Sequence, residues 1–314
     1  MMRFVLSRLI TAIPTLFLVS LAVFTLIRLI PGDPVSLMLG DNVDEQAYAA
    51  MSQQLGLDRP IAMQFLIWLK ALFSGDLGHS ITTGEAVLPL VLHRFGISAQ
   101  LVLVAVAIST VIAVPLGMVA AWRQNSSFDL SVVVGATMLM SIPTFWMGLM
   151  LLLYFGLNLS WLPVIGYVSP AEDFWAGLIY LIMPVAALVL HETGILVRMV
   201  RSSTLDVLRL DYVTHARAKG LTEGEVLRHH VLRNAFGPTW TLLGLILGNL
   251  LGGVAVVETV FTIPGLGRLI VESIYGRDYP LLQGCLLFVA ITYVVVNLIV
   301  DLCYPIFDPR VKSV

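Results

Sequence analysis

Residues 211–235 read DYVTHARAKGLTEGEVLRHHVLRNA, a polar stretch between two long apolar runs. The pattern predicts a helix, a glycine break and a second helix. Gly220 supplies a left-handed stop at no steric cost. Thr222 and Glu225 form a T-x-x-E capping box that starts the next helix. A compact basic helical hairpin without catalytic residues reads as a docking element, which makes the chain a membrane part moved by something else.

The surroundings of that stretch are those of a membrane protein. Of 314 residues, 58% are hydrophobic and 12% charged, and the mean hydropathy is +0.91. A soluble domain needs about a quarter charged residues. Uncharged windows near the roughly twenty residues that cross a bilayer occur at 9–27, 95–122, 130–157, 175–190, 238–257 and 281–300, the fourth continuing to 197 past an interruption at His191 and Glu192. The expectation is an all-α integral membrane fold of six transmembrane helices, because runs this apolar must satisfy their own backbone groups in lipid. Barrel strands would alternate over about ten residues instead. The first run follows Arg3 and Arg8 like a signal peptide, but its nineteen apolar residues end abruptly at Arg28 and Pro31-Gly32-Asp33-Pro34 without a cleavage site, so an uncleaved helix is expected. Cys285 and Cys303 lie eighteen residues apart in one run. On one helix that separation is about 27 Å, too far to pair.

Lysine and arginine set the orientation. With the N-terminus inside, the inner side holds twelve of them, Arg198, Arg201, Arg217, Lys219, Arg228 and Arg233 included, against six outside. Both termini and the 198–237 loop are therefore expected in the cytoplasm. This divides the chain into 1–30 (N-terminus and first span), 31–94 (an extracytoplasmic cap of short helices at 44–56 and 60–73), 95–305 (a five-helix core carrying the 198–237 loop) and 306–314. No internal repeat or low-complexity tract is evident.

Several chemistries find no residues here. The three lysines, Lys70, Lys219 and Lys312, lie in no G-x-x-x-x-G-K-[ST] loop. His215, His229 and His230 lack zinc-ligand spacing, and neither a G-x-S-x-G elbow nor an H-E-x-x-H helix occurs. No catalytic, cofactor-binding or metal-binding residue is expected. Intramembrane polar groups are the remaining functional candidates: His191, Glu192, Asn249, Glu258, Asn297 and Asp301, of which Glu192, Glu258 and Asp301 are expected near span ends, within reach of water or headgroups. Ser141-Ile142-Pro143-Thr144 predicts a helix kink bordering a pathway, since proline frees carbonyls that only a water-lined or protein-packed face tolerates. Ser141, Pro143, Thr144, Asn249 and Glu258 form the candidate pathway set.

Three groups of residues carry a family resemblance. His215-Ala216-Arg217-Ala218-Lys219-Gly220-Leu221, with His230-Val231-Leu232-Arg233-Asn234-Ala235, is similar to the ARAKGL…HxLRNA form of the EAA loop. Pro31-Gly32-Asp33-Pro34, Leu55-Gly56-Leu57-Asp58-Arg59-Pro60 and Gly75-Asp76-Leu77-Gly78 follow in order. Phe261, Pro264-Gly265-Leu266-Gly267-Arg268, Arg277-Asp278-Tyr279-Pro280 and Asp308-Pro309-Arg310 complete the set. Together they resemble inner-membrane permease subunits of binding-protein-dependent ABC importers of the dipeptide/oligopeptide/nickel type, first-permease branch. The general signature has Glu-Ala-Ala where this chain has Thr214, His215 and Ala216.

The resemblance implies a type I ABC importer permease fold in the bacterial cytoplasmic membrane. It implies that Tyr212, His215, Ala216, Arg217, Ala218, Lys219, Gly220, Leu221 and Glu225 couple the chain to cytoplasmic ATPase subunits, one or two in kind, which bind the ATP and magnesium. The other implied partners are a second homologous permease, an extracytoplasmic substrate-binding protein and membrane lipid, with no nucleic acid. The implied cargo is di- or oligopeptides, with nickel chelates, glutathione and oligosaccharides as alternatives. A stand-alone secondary transporter or channel is the rival class. It predicts inverted repeats and midplane ionisable residues, and it leaves the hairpin unexplained.

Overall fold

The computed structural model describes residues 2–29, 45–54 and 58–307. Among these, helix is the main regular structure, beside one isolated antiparallel bridge between His79 and Ala86, and irregular segments join the helices. Pro31-Gly32-Asp33-Pro34, Leu55-Gly56-Leu57 and Asp308-Pro309-Arg310 lie outside the described residues. In chain order the helices are α1 (Met2–Leu29), α2 (Glu45–Gln54), α3 (Ile61–Phe73), α4 (Val87–Trp122), α5 (Ser127–Ser141), α6 (Thr144–Asn158), α7 (Phe174–Leu208), α8 (Asp211–Ala218), α9 (Glu223–Gly252), α10 (Ala255–Val260), α11 (Leu266–Tyr275) and α12 (Tyr279–Phe307). α1, α4, α7, α9 and α12 are each long and apolar enough to cross a membrane, and α5 with α6, bent at a break, brings the number to six if the pair counts as one span.

The breaks and ends depart from the apolar windows for identifiable reasons. α5 and α6 meet at 93°, a sharper turn than a kink within one continuous helix. Pro143 has no N–H to donate, and Ile142 before it is extended at ψ 124°, as the residue preceding proline prefers. α4 starts eight residues before the expected 95 because Val87 and Val91 are fully buried against Leu266, Leu281 and Cys285. α7 stays helical well past 197. Val200, Thr204 and Val207 are buried there, and Arg201 forks onto both carboxylate oxygens of Asp129 at 2.5 and 2.7 Å. That ion pair fixes the α4–α5 turn, whose Asn125 (φ 64°) donates its N–H to Asp129 as well. α9 begins inside the polar stretch and passes straight through Pro238.

Close helix approach holds the bundle together, as it must where lipid offers helices no hydrophobic gain for associating. Gly244, Gly248 and Gly252 recur every fourth residue along one face of α9. A Cβ on them would lie 2.4 Å from Val300, 2.6 Å from Tyr293 and 2.9 Å from Val289 of α12. Trp240 Nε1 donates to the Val300 carbonyl at 3.1 Å across the same seam. α4 and α7 form the centre of the main core with Leu101, Val102, Ala105, Leu188, Leu196 and Val197. α1 is fastened to α12 by Arg8–Asp301 at 3.1 Å and by Ile27 against Tyr279 and Leu282.

Candidate functional site

The polar stretch folds as a short helix laid against the start of a spanning one. Val213 and Ala216, three apart on α8, are buried with Val207, Val226, Val231 and Ala235. The opposite face of α8 exposes Tyr212, Thr214, His215, Arg217 and Ala218. Gly220 takes φ 85°, and no atom lies within 4 Å of where its Cβ would be, so the requirement there is backbone conformation and not space. The capping box is formed: the Thr222 N–H donates to Glu225 Oε2 at 2.8 Å, and the Glu225 N–H to Thr222 Oγ1 at 3.4 Å. The second helix of the hairpin is therefore the first turns of α9, with a π-helical stretch at Val226–Val231.

Polar contacts lock this hairpin to the bundle. Arg217 forks onto Glu223 at 2.9 and 3.1 Å, and Trp122, ending α4, donates its indole N–H to the same carboxylate at 3.1 Å. Asn234 Nδ2 donates to the Tyr212 hydroxyl at 2.8 Å and to the His230 carbonyl at 2.9 Å. Tyr212, though exposed, is held to α9 through Asn234, and Glu225 is used by the capping box, whereas His215, Ala218, Lys219 and Gly220 lie exposed on the hairpin's surface and Leu221 is half-buried. Immediately beyond the hairpin, Thr110, Val111, Val114 and Pro115 of α4 face Leu232, Arg233 and Phe236 of α9 across an apolar groove of about 670 Å³.

The candidate pathway residues occupy different settings. Ser141, Pro143 and Thr144 lie at the α5–α6 break, with Ser141 and Pro143 exposed and the Ser141 hydroxyl bonded back to Thr137 at 2.8 Å. Asn249 is exposed on α9. Glu258 departs from expectation, being fully buried and not within reach of water or headgroups. Its Oε1 accepts from the Ser98 hydroxyl at 2.5 Å and its Oε2 from the Arg268 N–H at 2.8 Å, while Ser98 accepts from the Leu266 N–H at 2.8 Å. Pro264-Gly265-Leu266-Gly267-Arg268 wraps this carboxylate so closely that a Cβ at Gly265 would overlap it and one at Gly267 would sit 2.6 Å from Ala255. Glu192 is likewise buried, because α7 continues sixteen residues past it. Asp301 is part-exposed and paired with Arg8.

A second carboxylate closes the same end of the bundle. Asp278 Oδ2 accepts from the Ser80 and Thr82 hydroxyls at 2.5 and 2.9 Å and from the Thr82 N–H at 3.2 Å, and its Oδ1 accepts from the Leu281 N–H at 3.2 Å. Burial alone raises this carboxyl, yet these donors together hold it below the usual carboxylate range. The Gly75-Asp76-Leu77-Gly78 turn leads into this contact: Gly78 takes φ 82°, donates its N–H to Asp76 and packs beside Pro280. Sequence order gave each motif separately. Nothing local signals these meetings, since Asp278 lies 196 positions from Thr82 and Glu258 160 from Ser98.

Comparison with known proteins now bears on this geometry. Residues 113–313 match the family described as binding-protein-dependent transport system inner membrane component, and residues 1–104 match its N-terminal companion. The chain belongs to this permease family. The dipeptide transport system permease protein DppB of Alkalihalophilus pseudofirmus is 37% identical, with 99% of this chain and 100% of that one covered. The di/tripeptide transport system permease protein DppB of Pseudomonas aeruginosa is 38% identical over 99% of each chain. Among solved structures, the inward-facing MetNI methionine ABC transporter covers 70% of this chain and 97% of its own at a TM-score of 0.59 and 16% identity, a likeness of fold. The chain thus has the helical fold of type I importer permeases.

Proposed function

We propose that this chain forms half of the transmembrane pathway of an importer for di- or oligopeptides, driven by ATP hydrolysis on partner subunits. The observation that carries the reading is the hairpin: Val213 and Ala216 of α8 are buried, Arg217 bonds Glu223 of α9, which in turn accepts from Trp122 of α4, and His215, Ala218, Lys219 and Gly220 are exposed. A rigid body moved by a partner needs that arrangement, since force applied to α8 passes into α9 and, through the Glu223–Trp122 contact, on to α4. Tyr212, Ala216, Leu221 and Glu225 keep its shape. In this reading the hairpin end is cytoplasmic, both termini lie on that side, and the hairpin seats on one of a pair of ATPase subunits that hold the ATP and magnesium. A second homologous permease supplies the other half of the pathway, along which Ser141, Pro143, Thr144 and Asn249 are the polar groups on offer. The substrate arrives on an extracytoplasmic binding protein at the end closed by Glu258 and Asp278.

The peptide assignment rests on relatives that cover the whole chain and bear peptide permease names. Affinity purification of the tagged chain from its native membrane in mild detergent, followed by reconstitution and uptake assays, tests it. Co-purification of a second permease and ATPases, with ATP-dependent uptake of labelled dipeptides, is expected. Uptake of nickel chelates, glutathione or oligosaccharides in place of peptides would overturn the substrate. Solute movement by the chain alone, without ATP, would overturn the mechanism.

A further inference from the structure

We infer that α3 lies in the membrane, its outward face against the acyl chains of the leaflet at the Leu29 end of α1. The reading of 31–94 as an extracytoplasmic cap puts this helix in water, and its composition and packing argue otherwise. Every residue of Ile61–Phe73 except Gln64 and Lys70 is apolar. One face is satisfied by α1: Phe65 meets Phe24 and Phe17 edge-on at 5.1 and 5.9 Å, and Trp68 lies 5.6 Å from Phe24. The other face carries Met63, Leu66, Ile67, Lys70 and Phe73 at helical spacing, and its apolar members are 47%, 57%, 42% and 84% exposed in that order.

Depth decides what covers that face. Phe17 lies midway along the apolar span Leu6–Leu29, twelve residues or about 18 Å from its end, and Phe24 about 7.5 Å from it. A helix whose aromatic rings reach those levels sits beside hydrocarbon and not above it. At thirteen residues α3 is about 20 Å long, too short to cross, so it stays in one leaflet. Its exposed face continues the exposed apolar surface of α1, where Leu18, Leu21, Leu26 and Leu29 also face outward. Lys70 is the one charge on the stripe, and its long stem lets the ammonium reach headgroups from an apolar bed. Arg28, bonded to Gln64 at 2.9 and 3.1 Å, pins the helix to the span at that level. An apolar face of this extent left in water would be an aggregation surface.

Spin labels on single cysteines at Met63 and Leu66, and at exposed Asp76 as control, test this in the whole complex in proteoliposomes. Cys303 is replaced by serine, and Cys285, being fully buried, is left. Oxygen collisions are expected to exceed those with a water-soluble nickel chelate several-fold at Met63 and Leu66, with the order reversed at Asp76. Preferential access by the chelate at both positions would return α3 to a water-exposed cap. Protection from both reagents would show a protein partner on this face. Either result overturns the proposal.

Discussion

Glu258 is a buried carboxylate with a donor on each oxygen, and it holds three segments that are remote in sequence: Ser98 of α4, α10 itself and the Pro264–Arg268 turn. Replacing it by alanine leaves the Arg268 N–H without its acceptor, at about 1–3 kcal/mol for each orphaned group. Glu258→Ala should therefore lower the thermal unfolding midpoint of the purified complex, and Glu258→Gln, which keeps an acceptor, should lower it less; equal midpoints for parent and Glu258→Ala would refute the assignment. Asp278 adds a pH dependence. Its folded pKa lies below the unfolded value of about 3.9. The stabilisation is therefore complete above that value and disappears as pH falls through the folded pKa. Asp278→Asn should destabilise the neutral-pH protein by about 1.5–3 kcal/mol, the cost of losing hydrogen bonds to a charged group. Thermal midpoints measured across the acid range should show parent and variant converging below about pH 4. Sequence alone showed both acids and both glycine-rich turns, and it rightly singled out Gly220 and the Thr222–Glu225 box, because those are local. It placed Glu258 at a wet helix end because Ser98, 160 positions away, gives no local sign that it completes the site.

The elements show the same division between local and remote causes. Spans were legible from apolar length alone, since lipid forces any such run to be a helix. Their ends were not. α4 and α7 run on through positions that hydropathy rejects, because Val87, Val91 and Val207 are buried by other elements and Arg201 is paired with Asp129. Pro143 gave the place of the break in the third span, while its 93° angle depends on what α5 and α6 pack against. The glycine stripe of α9 was present in the sequence as a four-residue repeat but went unread beside the stronger hydropathy signal. It makes a direct prediction. Gly248→Leu pushes a side chain into Tyr293, so α9 and α12 must separate, at about 1–3 kcal/mol for overpacking. A lowered thermal midpoint with normal membrane insertion is expected, and the same change at half-buried Gly135, where a Cβ meets nothing within 4 Å, serves as the unaffected control.

At the scale of the whole molecule, the two ends of the bundle are built differently. One end is closed by two buried carboxylates that tie α4, α10, α11 and α12 into a rigid rim. The other carries a hairpin whose inner face is buried and whose outer face is exposed. The family and the helical fold follow from the order of motifs, but the chain of contacts from α8 to α9 through Arg217–Glu223 and Tyr212–Asn234, and from Glu223 on to Trp122 of α4, has no local sign in the sequence. The central claim is that this hairpin transmits partner motion to the spans, and Gly220 is the position at which it is most exposed to test. At φ 85° a non-glycine residue is strained, and in open space it disturbs nothing else. The decisive measurement is ATP-driven uptake of a labelled dipeptide into proteoliposomes by complexes carrying Gly220→Asp. The account predicts that the variant inserts and that uptake is abolished. Uptake at the parent rate by an inserted Gly220→Asp chain would contradict it.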